Sequence, residues 1–195
     1  MKAKVDSLPF ETQRLRLRRF KDDDYARFLS YRNDPEIARY QSWESCSALE
    51  AARFIEQQKS LPLGVTGQWF QFAIELKETC ELIGDCAFRV SEADTQQAEI
   101  GVTIARSFQK RGYGAEAVAR LLDYGFVESS LHRIFAITDC ENLSSVALLE
   151  RLGMRREAHF IQNIWFKGKW GDEFLYAMLR DEWTMKRSAF VEQKS

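Results

Sequence analysis

The chain has 195 residues, a formal net charge of −1 and 45% hydrophobic residues. This length suits one domain with a core of its own, and the near-neutral charge argues against general binding to nucleic acid. Four cysteines without a CxxC pair and only two histidines argue against a disulfide framework and a zinc site, so we expect no metal. The first residues lack an apolar signal core, and no apolar run reaches membrane-spanning length. We therefore expect a cytoplasmic protein with reduced thiols and no membrane contact.

The N-terminal part predicts one strand and two helices. Leu15 and Leu17 alternate with arginines, as the residues of a strand do. Acidic residues open a helix over 22–33, and Pro35 follows its end. A second helix is expected to start near Ser47, because small and apolar residues then recur on one helical face.

Three strands are expected next. Residues 70–76 and 82–90 each show a period of two, and the polar segment 77–81 joins them, which predicts an antiparallel hairpin. Residues 99–105 extend the same sheet, and a helix over 113–128 follows. Residues 133–138 form a nearly continuous apolar run, which predicts a central strand buried on both faces.

The C-terminal part predicts a helix over 143–152 that Gly153 caps, two strands around 168–172, and a fraying tail from residue 183. Because 99–105 and 133–138 flank a helix, they should be parallel neighbours. The fold class is therefore α+β, with a mixed, mostly antiparallel sheet of about seven strands flanked by four helices. We expect one domain over 1–195, with its core in 11–183 and a tail over 184–195.

The most informative segment is the glycine loop at the mouth of helix 113–128. Gly112 and Gly114 keep side chains away from the first helical turn, whose unpaired backbone N–H groups can then face an anion. Arg106, Lys110 and Arg111 add positive charge; the last two are either phosphate ligands, which a nearby pyrophosphate favours, or a solvated surface pair. The segment predicts a site for a phosphate group.

Two coenzymes fit this local pattern. Residues 112–117 match G-x-G-x-x-A, and Asp139 follows the next strand, as in dinucleotide-binding proteins. Three observations argue against a nicotinamide dinucleotide. Six residues, 106–111, separate the strand from the glycines, antiparallel strands precede the motif, and there is a single β-α-β unit. A pyrophosphate that arrives from the side explains the longer loop better.

Gln109–Gly114 also fills Q/R-x-x-G-x-G/A, the signature of the Gcn5-related N-acetyltransferases. The chain resembles the RimJ/RimL-like group of that superfamily over about residues 11–183. The resemblance rests on 11–18, 32–36, 98–101 and 167–172 in addition to the signature. It implies this superfamily's fold, with its parallel strand pair at the coenzyme, and the transfer of an acetyl group from acetyl-CoA to a primary amine.

The resemblance also implies the residues that hold the coenzyme. One strand of the family splays from its neighbour and offers free backbone groups, one of which donates to the thioester oxygen. Asn142 matches a residue that contacts pantetheine, although asparagine is also a common helix N-cap. The coenzyme-binding residues implied by the loop and the resemblance together are Val102, Thr103, Ile104, Gln109, Lys110, Arg111, Gly112, Tyr113, Gly114, Ala115, Asn142 and Ser145.

Two residues are candidates for proton transfer by resemblance. Glu99 matches an acid often proposed as the base, acting directly or through a water; the alternative is a salt-bridged strand glutamate. Many relatives carry a tyrosine that protonates the leaving thiolate, but this chain has Leu149 there. Ser145 fills the place of a serine in RimJ/RimL-like relatives, as a coenzyme contact, as the acid, or as a small residue of the first helical turn.

The acceptor is a protein N-terminus or a small-molecule amine, and the resemblance allows a homodimer. By family placement Tyr40, Trp43, Trp69 and the hairpin 165–173 could border the acceptor pocket. Two alternatives stay open. One is a coenzyme-A-binding or sensing module without turnover, and the other is the nicotinamide-dinucleotide binder.

Overall fold

A computed structural model describes residues 8–192, except the side chains of 188–192, so the prediction made for the first residues lies outside it. The strands are β1 (Phe10–Glu11), β2 (Leu15–Arg18), β3 (Phe70–Leu76), β4 (Glu81–Val90), β5 (Gln97–Ile104), β6 (Arg133–Asp139), β7 (Arg155–Phe166) and β8 (Lys169–Leu179). The α-helices are α1 (Tyr25–Arg32), α2 (Pro35–Ala38), α3 (Ala48–Ser60), α4 (Tyr113–Asp123), α5 (Leu143–Leu152) and α6 (Arg180–Glu192).

All eight strands form one sheet in the order β1-β2-β3-β4-β5-β6-β8-β7. Among the strands that the structure describes, only β5 and β6 run parallel, as their flanking of a helix predicts. The α+β class and the mostly antiparallel sheet are confirmed. The eighth strand is the two-residue β1, and the extra helices are the four-residue α2 and the C-terminal α6.

The predicted tail is wrong over 183–192, because α6 covers those residues. Asp181 and Glu182 open this helix, where negative charge favours the N-terminus. Trp183 is buried, and its indole Nε1 donates to Asp123 Oδ1 at 3.0 Å. Arg187 Nε also lies 3.1 Å from Asp123 Oδ1, so Trp183 and Arg187 together hold the start of α6 against the end of α4.

Helices cover the two faces of the sheet unequally. One buried cluster packs α4 on β4 and β5, around Phe88 and Ile100, and the other packs α1–α3 on β3 and β4, around Ala73. The expectation that β6 is buried on both faces is wrong. Phe135 is half-buried and Ile137 is 39% exposed, because the cluster of α1–α3 reaches only β3 and β4. Beside β6, this second face is therefore free to form a cavity wall.

Within residues 8–192 we find no helix long and apolar enough to cross a bilayer.

Candidate functional site

The strands β5 and β6 separate partway along their length. They pair only over Gln97–Glu99 and Arg133–Phe135, whereas β6 pairs with β8 over its whole length. Among the described strands, none pairs with β5 on its β6 side beyond Glu99. A gap therefore opens in the sheet, and the splayed strand that the resemblance implies is present.

The backbone groups that face this gap follow from the pairing of β5 with β4. Ala105 N donates to Ile83 O at 2.8 Å, so in the alternation of antiparallel pairs Thr103 and Gly101 are hydrogen-bonded to β4. Val102 and Ile104 point their N–H and C=O groups away from β4. The Gln109 amide donates to Ile104 O at 2.9 Å, which ties the signature glutamine to the edge of the gap.

The glycine loop joins β5 to α4 beside the gap. Lys110 and Gly112 have left-handed φ angles of 60° and 81°, a region in which glycine is unstrained. Gly112 is the N-cap of α4, and no side chain within the described part of the chain caps this end, so the N–H groups of the first turn are free to bind an anion. A Cβ on Gly114 would lie 2.9 Å from Leu148 Cδ1, so this glycine lets α4 approach α5 closely.

A glutamate in the first turn of α4 is directed away from the anion site. Glu116 accepts hydrogen bonds from Thr12 Oγ1 (2.6 Å) and from the backbone N (2.8 Å) and Nε (2.6 Å) of Arg14. Burial alone would raise the pKa of Glu116, but these hydrogen bonds outweigh it and lower that pKa. The Arg14 guanidinium also lies 4.5 Å from the centre of the Tyr113 ring. This cluster neutralises Glu116 and fixes the N-terminus of α4.

A cleft of about 740 Å³ runs from the glycine loop into the gap. Every predicted coenzyme-binding residue except Arg111 lines it. The Arg111 side chain instead lies over the Phe108 ring, 5.8 Å from its centre, and its carbonyl accepts from Arg14 Nη1 at 3.0 Å. Lys110, Arg106 and Arg151 bring positive charge to the lining, and Arg151 is a contribution from α5 that the sequence analysis missed.

A second cavity, of about 220 Å³, meets this cleft in the gap. Both are lined by Val102, Thr103, Asn142 and Ser145. The residues that line only the second cavity include Arg32, Trp43, Gln71, Asp85, Ile137, Asp139, Ile164, Phe166 and Glu173. Two molecules bound in these compartments would therefore touch at Val102 and Ser145.

Hydrogen bonds between distant segments close the roof of the second cavity. Lys167 Nζ, at the tip of the β7–β8 hairpin, donates to Ala38 O at 2.5 Å and to Trp43 O at 2.8 Å. The Tyr40 hydroxyl donates to Glu141 O at 3.1 Å. These bonds hold the segment 38–43 between the hairpin and the start of α5.

Replacing Lys167 with methionine should loosen this roof. The substitution removes two charge-assisted hydrogen bonds and keeps most of the apolar stem. We expect amide hydrogen exchange in 38–43 to accelerate about tenfold or more, while exchange in β3 and β4 stays unchanged. Lys169→Met is the matched control, because among the described residues Lys169 forms only an exposed pair with Glu141. Equal exchange in the two variants would contradict the role of Lys167.

The floor of the second cavity carries a buried charge pair. Asp85 Oδ2 accepts from the Tyr31 hydroxyl and, at 3.2 Å, from Arg32 Nη2. The Arg32 guanidinium lies 3.8 Å from the centre of the Trp43 ring, and Trp43 Nε1 donates to Arg32 O at 3.0 Å. Burial, and then the Asp85 charge, raise the pKa of Tyr31 well above its ordinary value, so Tyr31 stays protonated and donates.

The two predicted proton-transfer residues lie in different surroundings. Glu99 forms an ion pair with Arg89, whose guanidinium lies 4.5 Å from the Trp69 ring centre, and neither acid nor ring lines the second cavity. Ser145 lies where the two compartments meet. Its backbone N donates to Asn142 Oδ1 at 3.2 Å, so Asn142 is the N-cap of α5 as well as a lining residue.

Of the aromatic residues expected to border the acceptor pocket, Tyr40 and Trp43 line the second cavity and Trp69 does not. Arg32, Gln71 and Asp85 also line it, and none of them was expected there from the sequence. The available signal was a charged residue at an inward position of the otherwise apolar stretch 82–88. The fold argues against the dinucleotide alternative. Among the described strands β5 and β6 are the only parallel pair, and no second β-α-β half accompanies them.

Comparisons with known proteins agree with this geometry. A family model described as an acetyltransferase (GNAT) domain matches residues 14–155. Uncharacterized N-acetyltransferase p20 of Bacillus licheniformis is 33% identical over 172 residues, 88% of this chain and 96% of its own. A GNAT-family acetyltransferase from Bacillus anthracis superposes with a TM-score of 0.79 at 28% identity, covering 90% of this chain and 100% of its own. Mycobacterium smegmatis RimJ, solved in complex with CoA-disulfide, superposes with a TM-score of 0.74 at 24% identity, covering 86% of this chain and 83% of its own, and shares the fold.

Proposed function

Because the chain belongs to the GNAT acetyltransferase family, we propose that it transfers an acetyl group from acetyl-CoA to a primary amine of a protein N-terminus or a small molecule. The observation that carries this proposal is the meeting of the cleft and the second cavity at Val102, Thr103 and Ser145. Direct attack in a ternary complex needs both substrates bound at once, with the amine beside the thioester. Two compartments joined at a gap in the sheet provide that arrangement.

In this proposal acetyl-CoA supplies the activated thioester, and the chain binds and orients it. The free N–H groups at the start of α4, with Lys110, hold the pyrophosphate. The N–H of Val102 donates to the thioester oxygen, because it points into the gap while that of Thr103 is bonded to β4. The CoA-disulfide bound to RimJ supports a coenzyme A site in this fold.

The amine must be neutral before it attacks. An α-amine has a pKa near ~8 and a lysine near ~10.4, so proton removal matters most for lysine-like acceptors. We assign this step to Glu99 acting through a water, since its side chain lies on the same face as Gly101, outside the cavity. Ser145, at the junction, is assigned to the coenzyme sulfur, where its hydroxyl can protonate the leaving thiolate.

Glu99→Gln should lower kcat about 10²-fold at pH 7, which is the lower end of the range for loss of a general base. The decrease should be smaller at pH 9, because more of the amine is already neutral there. Ser145→Ala should lower kcat by less, since a thiol pKa near ~8.5 makes the thiolate a fair leaving group. Steady-state rates across pH test both expectations. A Glu99→Gln deficit that stays constant between pH 7 and pH 9 would remove Glu99 from the proton-transfer step.

Release of coenzyme A thiol from acetyl-CoA, measured with a panel of amines, tests the proposed function. Mass spectrometry of the products then identifies the acceptor. No thiol release above background with any amine would overturn the proposal. Tight acetyl-CoA binding together with a weak rate that Glu99→Gln and Ser145→Ala leave unchanged would favour the sensing module. Thermal stabilisation by NAD(P) but not by acetyl-CoA would favour the dinucleotide binder.

We further propose a RimJ-like preference for acceptors and a cytoplasmic site of action. The motifs of the RimJ/RimL-like group and the RimJ structural neighbour support the first. Free thiols at Cys46, Cys80, Cys86 and Cys140 fit the second.

A further inference from the structure

The second cavity contains a buried carboxylate that the proposed reaction has not used. We propose that Asp85 binds the amino group of the acceptor, with its Oδ1 accepting an N–H from the amine, and that this contact selects protonated primary amines. The inference rests on the proposed function, because it treats the second cavity as the acceptor site. It assigns amine binding to Asp85 and leaves proton removal to another group.

The register of the sheet places Asp85 beside the reacting centre. Asp85 is the cross-strand partner of Thr103, which lines both compartments, and the next pair along the same face is Ala87 and Gly101. That pair has the smallest side chains available, so space for the acceptor remains above it. On the far side of this space, the following pair is Arg89 and Glu99. An amine over Gly101 would therefore lie between Asp85 and the proposed base.

One oxygen of Asp85 is available to a ligand. The hydrogen bonds from Tyr31 and Arg32 both fall on Oδ2. Oδ1 accepts no hydrogen bond from the residues that the structure describes, and it is not among their enclosed, unpartnered polar atoms. Because Asp85 lines the cavity, we infer that Oδ1 opens into it.

The Arg32 charge is oriented so that it does not compete for this oxygen. Its guanidinium packs against Trp43 and, at 4.7 Å from the ring centre, Phe28, and its contact with Asp85 is to Oδ2. A carboxylate is a far weaker base than an alkyl amine, so it binds an ammonium more readily than it deprotonates one. Asp85 is therefore suited to recognition of the amine.

The two other carboxylates in the lining are placed differently. Glu173 accepts from Asn163 Nδ2 at 2.6 Å, and Asp139 accepts from the backbone N of Glu141 at 2.7 Å. Both lie on the β6–β8 side of the gap, at the cross-strand pair that ends β6. Asp85 alone among the three is paired directly with a residue of β5 that borders both compartments.

Calorimetric titration of the protein saturated with coenzyme A tests the proposal without turnover. The probes are phenethylamine and 2-phenylethanol, which share a ring for the aromatic walls and differ only in the amine or hydroxyl. We expect the amine to bind at least tenfold more tightly, as a charge-assisted hydrogen bond predicts. In the Asp85→Asn variant the amine and the alcohol should bind with about equal affinity. Tyr31→Phe, which removes a partner of Oδ2 only, should retain it.

A preference that Asp85→Asn leaves intact would overturn the proposal. Retained binding of coenzyme A shows that the Asp85→Asn variant is folded. If this variant does not fold, the comparison of amine and alcohol in the wild type decides the proposal alone. Equal affinity of the wild type for amine and alcohol, including no binding of either, overturns the proposal. The outcome is separate from the test of the proposed function. A protein that prefers the amine through Asp85 but releases no thiol would keep this inference and lose the proposed activity.

Discussion

Replacing Gly112 with aspartate should weaken coenzyme A binding by about a hundredfold. The φ of Gly112 is 81°, a region that aspartate and asparagine tolerate better than other side chains, and the nearest atom to a new Cβ is Arg14 Nη2 at 3.4 Å. The new carboxylate would stand at the N-terminus of α4, where we place the pyrophosphate. At about 5 Å and an effective dielectric constant of ~20, two unit charges repel by about 3 kcal/mol. This exceeds the ~2.8 kcal/mol of a hundredfold change.

Gly112→Asn is the matched control, because asparagine has the same shape and backbone tolerance but no charge. We expect it to weaken coenzyme A binding only a few-fold, measured by calorimetry at the same ionic strength. Added salt should narrow the difference between the two variants, since screening weakens the repulsion. Equal affinities of the aspartate and asparagine variants would mean that the phosphates bind elsewhere.

Replacing Glu75 with glutamine should lower the free energy of unfolding by about 3 kcal/mol at pH 7. The Glu75 carboxylate is 2% exposed and pairs with Arg16 (2.6 Å), Arg18 (2.6 Å) and Lys21 (3.1 Å). Its loss leaves buried positive charge without its main partner, which costs about 3–5 kcal/mol in comparable sites. The lower end applies, because Arg18 keeps Asp24 and Arg16 keeps Glu11. Urea unfolding measures the difference.

The same carboxylate sets an acid limit on stability. Burial alone would raise the pKa of Glu75, but hydrogen bonds from Arg18 and Lys21 and the nearby positive charges outweigh it and lower that pKa from 4.5 to about 2. A depressed pKa contributes stability that is fully present above pH ~4.5 and is lost as the pH falls towards 2. The wild type should therefore lose stability over this range, and the cost of Glu75→Gln should shrink.

Glu78→Gln, in the exposed β3–β4 turn, should change stability by less than about 0.5 kcal/mol. A Glu75→Gln cost that stays constant from pH 5 to pH 2.5 would contradict the paired carboxylate.

Local patterns in the chain predicted those features that local interactions produce. The period of two in 70–76 and 82–90 reports side chains on opposite faces of a strand, and the β3–β4 hairpin forms as expected. Gly153 caps α5 with a φ of 74°, because the left-handed conformation costs glycine nothing. The residues of the loop from Gln109 to Gly114 are adjacent in the sequence, so their pattern alone indicated an anion site.

The wrong predictions concern features that depend on how other elements pack against a segment. An apolar run such as 133–138 does not reveal whether helices cover both faces, and Ile137 lies on the uncovered one. Residues 183–192 show little helical amphipathicity, and Trp183 joins the main buried cluster and contacts Asp123, sixty residues earlier, only in the folded chain. Neighbouring cations in the loop also separate, since Lys110 lines the cleft and Arg111 lies on Phe108.

The family, the α+β class and the glycine loop could be recognised from the chain alone, because each depends on adjacent residues or on simple periods. Only the tertiary structure brought Arg32, Trp43 and Asp85 together, since they come from α1, a loop and β4 and no spacing relates them. It likewise revealed that the two compartments meet at Val102 and Ser145, which lie on different elements. The glycine loop is local in the chain, whereas the second cavity exists only once the helices pack on the sheet.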